Sequence, residues 1–122
     1  MQNRPKKVLV VDDDPDILEF LQELLELEGY TAVVTDKAEY LANLHDGSLP
    51  NLILLDVLLS GTDGREIVKD LKSQEETMHI PVIMFSAHPS AEWTVRAAGA
   101  DDFVAKPFEI DELLEKIARY VR

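Results

Sequence analysis

Val8-Leu9-Val10-Val11-Asp12-Asp13-Asp14-Pro15 sets four apolar residues directly ahead of three acids and a proline. So short an apolar run, bounded by polar residues, predicts a strand buried on both faces. Asp14 is a good helix cap, and Pro15 suits the first helical turn. Beyond them Ile17, Leu18, Leu21, Leu24 and Leu25 recur on one helical face, and Gly29 stands where a helix ends.

The same alternation continues along the chain. Thr31–Thr35 reads as a second strand, and Lys37–His45 as a weak helix holding Tyr40, Leu41 and Leu44. Gly47 and Pro50 punctuate the loop before a third strand, Leu52–Leu55. Ser60-Gly61-Thr62-Asp63-Gly64 is turn-rich, and Asp63 can cap the next helix with Glu66 three residues on. Ile67, Val68 and Leu71 give that helix its apolar stripe. Pro81 opens the fourth strand, Val82–Phe85; a short helix near Ala91–Ala98 leads to the fifth, Phe103–Ala105. After Pro107, Ile110, Leu113, Leu114, Ile117 and Val121 fall at helical spacing. Five strand–helix units with short connections and right-handed crossovers make an α/β doubly wound parallel sheet. With brief tails and no linker or repeat, residues 1–122 are expected to form a single domain.

Composition narrows the function. With no cysteine among 122 residues, disulfides, thiolate zinc sites and thiol catalysis are excluded. The apolar stretches are strand-sized, too short for a membrane span, and no apolar signal core precedes the first strand, so cytoplasmic residence is the default. A net charge of −12 argues against direct nucleic-acid binding and favours basic partner surfaces.

The charged residues at the strand ends carry the chemistry. Asp12 and Asp13 follow the first strand, Asp56 the third and Lys106 the fifth. Open parallel sheets bind ligands outside the carboxyl ends of their strands, where all four lie. Three crowded carboxylates repel one another, and one lysine is too little to offset them. The missing charge is most naturally a divalent metal taken by hard oxygen ligands.

Four strings then match a family. They are Val8-Leu9-Val10-Val11-Asp12-Asp13-Asp14-Pro15; Leu52-Ile53-Leu54-Leu55-Asp56 with Gly61-Thr62-Asp63-Gly64; Pro81-Val82-Ile83-Met84-Phe85-Ser86-Ala87; and Gly99-Ala100-Asp101-Asp102-Phe103-Val104-Ala105-Lys106-Pro107-Phe108. Over nearly its whole length the chain resembles the receiver domains of two-component response regulators. The resemblance implies a flavodoxin-like strand order 2-1-3-4-5. It implies that Asp56 accepts a phosphoryl group from a phosphohistidine on a histidine kinase or histidine phosphotransfer protein. Asp12, Asp13 and Asp56, with the backbone carbonyl of Leu58, would hold Mg²⁺. Ser86 would meet the phosphoryl oxygen, Lys106 would pair with it, and Phe103 would be the switching aromatic. The Lys106–Pro107 bond matches a position that is usually cis. Such a protein modifies and slowly restores itself but turns over no outside metabolite.

Two departures stand out. Ser60 occupies a place usually held by proline, and the interval from Ser86 to Lys106 is short, so that residues are missing in or beside the fourth helix. With Ala91, Val95 and Ala98 inward, Trp93 faces outward and is expected to contact the unknown output partner. Plainer roles compete. Phe103 reads equally as core, Asp63 as a cap, Ser86 alone as a turn residue, His45 and His79 as solvated loop residues, and Tyr30 and Tyr40 as packing. His88, just past Ser86, reads as a surface residue or one overhanging the site. Competing functions are a small Mg²⁺-dependent aspartyl phosphohydrolase, which would need a cap this chain has no room for, and a phosphorylation-independent interaction domain. A flavodoxin-like electron carrier would need a phosphate loop where this chain puts acids.

Overall fold

The computed structural model describes residues 5–44, 47, 49–59 and 61–121. His45 and Ser60 lie outside these residues, as does Arg122. Strands β1 (Lys7–Val11), β2 (Thr31–Thr35), β3 (Leu52–Asp56), β6 (Val82–Ser86) and β7 (Asp102–Ala105) form one parallel sheet ordered β2-β1-β3-β6-β7. In order of these five strands this is the expected 2-1-3-4-5. Between β3 and β6, Leu58–Leu59 (β4) and Thr62–Asp63 (β5) pair antiparallel as a small hairpin.

Helices α1 (Pro15–Leu27), α2 (Glu39–Ala42), α3 (Gly64–Lys72), α4 (Glu92–Ala97) and α5 (Ile110–Tyr120) cover both faces. β3 and β6 are buried at every position, which explains their continuous apolar runs. One core cluster holds Leu9, Ile53, Leu55, Val68, Met84, Val95 and Phe103 among others; the opposite face packs Val8, Leu54, Phe85, Leu21, Leu25, Leu113 and Ile117. The pleat thus sends alternate residues of each strand to opposite cores.

Local signals decide the helix ends. Asp14 Oδ1 accepts from the Asp16 N–H at 2.9 Å, as a cap should. Gly29, at φ +93°, ends α1: its N–H donates to the Glu26 carbonyl while the Tyr30 N–H reaches Leu25. That pair of hydrogen bonds is the left-handed glycine stop expected of the sequence. α2 is shorter than the predicted span because Leu41 is its single buried residue and Tyr40 is exposed. So little apolar contact holds only about one turn. Among the described residues no helix is long and apolar enough to cross a membrane.

At the α4–β7–α5 face, buried Asp102 accepts from Lys116 Nζ and Arg96 Nη2, both at 3.1 Å, from the Tyr120 hydroxyl at 3.2 Å and from the Phe103 N–H at 2.8 Å. Burial opposes ionisation of its carboxyl. The Phe103 N–H and Lys116 outweigh that and hold it below the usual carboxylate value.

Candidate functional site

Parallel register brings the strand ends together. β1 ends at Val11, so Asp12 emerges beside Asp56, the last residue of β3, which pairs with Phe85 of β6. Ser86 ends β6 opposite Ala105, and the Lys106 N–H donates to the Ser86 carbonyl at 2.7 Å. The Lys106–Pro107 peptide is cis.

Asp12, Asp13 and Asp56 bring carboxylate oxygens within 4.8 Å of one another, with Asp12 and Asp56 buried and Asp13 exposed. Asp12 Oδ1 accepts from the Asp14 N–H at 2.9 Å and Oδ2 from Lys106 Nζ at 2.9 Å. Lys106 Nζ lies 3.5 Å from Asp56 Oδ1 and 4.8 Å from the centre of the Phe85 ring. The lysine is therefore held between two acids over an aromatic face, closer to Asp12. Among the described residues Lys106 is the cation that pairs with Asp12 and Asp56. Burial, then the charge of Asp12, pushes the Asp56 carboxyl up to about 6, while Lys106 pulls it down and Asp13 adds to the rise. A close, oxygen-only and negatively charged donor set fits a hard divalent cation.

Ser86 is buried, and its Oγ accepts from the His88 N–H at 3.0 Å. Beside it opens a cleft of about 230 Å³ lined by Leu58, Arg65, Ser86, His88, Ser90 and Thr94 among others. His88 is exposed at this rim and His79 is exposed elsewhere. Leu58 is half-exposed in β4. Phe103 is buried, turned into the core beside Val95 and Ala100. Trp93 is 73% exposed while Val95 and Ala98 are buried, so the outward phase expected for α4 is the observed one. Asp63 caps α3, accepting from the Arg65 N–H at 2.9 Å; Glu66 pairs with Lys69 rather than closing a box.

Two contributors escaped the sequence. Gly64 donates its N–H to the Val57 carbonyl at 2.6 Å and lies against the Asp56 backbone. Arg65 grips Asp63 and reaches Thr94, 29 residues away. An arginine two residues after a capping acid was the available signal for the first of these contacts; nothing local announced the second.

Residues 8–118 match the family model described as "Response regulator receiver domain". The chain belongs to this family. Receiver domains are the phospho-accepting signalling modules of two-component systems, and this one has their flavodoxin-like sheet. The receiver is 36% identical over 119 residues to the phosphate regulon transcriptional regulatory protein PhoB of Escherichia coli, covering 96% of this chain and 52% of PhoB. It spans about half the length of the curated relatives it matches. Among solved structures it is similar to response regulator TrrA of Thermotoga maritima in complex with Mg²⁺-BeF, at TM-score 0.84 and 30% identity over 94% of this chain and 98% of that one. It also resembles the receiver domain of NtrX from Brucella abortus, at TM-score 0.82 and 33% identity over 93% and 97% of the two chains.

Proposed function

We propose that Asp56 is the phosphoryl acceptor of this receiver, and that a histidine kinase or histidine phosphotransfer protein is the donor. The observation that carries this reading is the cluster itself. Asp56 ends the central strand with Lys106 Nζ on one side and buried Ser86 following its register partner Phe85. Asp12, Asp13, Asp56 and the Leu58 carbonyl are the proposed ligands of Mg²⁺. When bound, the ion would neutralise charge on the phosphoryl oxygens. The proposed setting is the cytoplasm, where such donors present phosphohistidine.

The residues divide the work. An Asp56 carboxylate oxygen attacks phosphorus; the donor's P–N bond breaks and its electron pair stays on the imidazole nitrogen. With its carboxyl at about 6, Asp56 is mostly ionised at neutral pH and ready to attack. Lys106 and the Ser86 hydroxyl would receive the equatorial oxygens, supplying the positioning and charge that phosphoryl transfer chiefly requires. Water later cleaves the acyl phosphate, returning carboxylate and inorganic phosphate. Phe103 is the proposed switching aromatic, and Trp93 on α4 the proposed contact for the output partner.

Incubation with acetyl phosphate and Mg²⁺ should add one phosphoryl group, removable by alkali and by hydroxylamine. No gain in intact mass would end the proposal. Lys106→Ala should still fold but switch poorly. It should also bind Mg²⁺ about tenfold more tightly, because the competing cation beside Asp12 is gone. Calorimetric titration of the two proteins checks this; equal affinity would place Lys106 outside the metal's electrostatic reach.

A further inference from the structure

We propose that Arg65 is the positioning residue that couples the phosphoryl site to α4: it clamps Asp63, at the end of the hairpin following Asp56, to Thr94 of α4. The proposal rests on Asp56 being the acceptor, and concerns how its state reaches the surface that carries Trp93.

The link is continuous. Val57 follows Asp56 and receives the Gly64 N–H; Leu58 pairs with Asp63 across the hairpin. Asp63 Oδ1 and Oδ2 then take Arg65 Nε at 2.9 Å and Nη2 at 2.8 Å, fixing the guanidinium plane as a fork. The remaining arm, Nη1, donates to Thr94 Oγ1 at 3.0 Å. That hydroxyl in turn donates to the Ala91 carbonyl at 2.9 Å, so toward Arg65 it serves as the acceptor.

The helix at the far end is suited to being moved. α4 has six residues, too few to hold itself by helical hydrogen bonds. Its position is set by what it touches: Val95 in the core, Arg96 on Asp102, and Thr94 on Arg65. Among the described residues, the Thr94 contact is the side-chain hydrogen bond that leads back to the segment after Asp56. The first two anchor α4 to the sheet and α5, whereas the third ties it to the loop next to the acceptor. A shift of that loop would pull α4 by its middle and change the setting of adjacent Trp93.

Trp93 supplies the readout. Wild type, Thr94→Val and Arg65→Gln are each treated with acetyl phosphate and Mg²⁺. Intact mass gives the fraction phosphorylated, and acrylamide quenching of Trp93 reports α4 before and after. For both variants the response is scaled to the fraction that intact mass shows phosphorylated. Their phosphorylation-dependent change in quenching should fall below about half of the wild-type change, since one hydrogen bond biases such an equilibrium about fivefold. A bond that only steadied α4 would alter quenching equally in both states and leave the difference intact. That result overturns the coupling role, as does phosphorylated wild type with no Trp93 response. If wild type gains no mass, the acceptor reading fails and the coupling falls with it.

Discussion

Asp56→Asn should be more stable than wild type in Mg²⁺-free buffer at pH 7.5, by about 2–3 kcal/mol. Burial and the neighbouring Asp12 raise the folded carboxyl to about 6, whereas the unfolded chain leaves it near about 4. Between those values the native state binds more protons than the unfolded one, so stability falls as pH rises. The favourable contribution is fully present below the unfolded value and is gone once pH has passed through about 6. Asparagine keeps the shape of the protonated acid and does not ionise. The advantage of the variant should therefore shrink on acidification and vanish by about pH 4. Urea unfolding of both proteins across this range checks it, since other carboxylates cancel in the comparison. Mg²⁺ should narrow the gap by stabilising wild type, about 1.4 kcal/mol at ten times its dissociation constant, and the variant less. A variant no more stable at pH 7.5 would mean that the acidic cluster carries no excess repulsion.

Gly64→Ala should lose about 2–3 kcal/mol or more, and weaken Mg²⁺ binding with it. Helix propensity alone predicts the opposite sign, since alanine is better than glycine within a helix by about 1 kcal/mol. Contact decides the matter. A Cβ on Gly64 would collide with the Asp56 carbonyl oxygen and stand 2.9 Å from Met84 Cε and 3.1 Å from the Val57 carbonyl oxygen. The methionine end can yield, but the two carbonyls belong to the backbone that aims Asp56. The hairpin must open, and with it the 2.6 Å bond from Gly64 to Val57. A urea midpoint equal to wild type, with unchanged slope, would show that the loop relaxes freely.

Much of the fold and of the site is legible in the sequence. Strands buried on both faces leave unbroken apolar runs, so β1, β3, β6 and β7 are visible to within a residue, with Asp12 and Asp13 after β1, Asp56 at the end of β3 and Lys106 after β7. Trp93 was placed outward because Ala91, Val95 and Ala98 share one helical face. α2 was overestimated, since spacing of Tyr40, Leu41 and Leu44 cannot say that Leu41 alone would be buried. β4 and β5 have two residues each, too few for any period. Gly64 looked like a turn glycine, and its tight approach to Asp56 exists only once α3 packs. The Arg65–Thr94 bond spans 29 residues and the Lys116–Asp102 bond 14, distances at which local pattern is silent.

The most direct measurement locates the phosphoryl group itself. After treatment with acetyl phosphate and Mg²⁺, borohydride reduction converts an aspartyl phosphate to homoserine, which peptide mass spectrometry assigns to a position. Homoserine at residue 56 in wild type, and none anywhere in Asp56→Asn, is the expected result. Homoserine at residue 12 or 13, or equal labelling of the Asp56→Asn protein, would contradict the assignment of Asp56 as the acceptor.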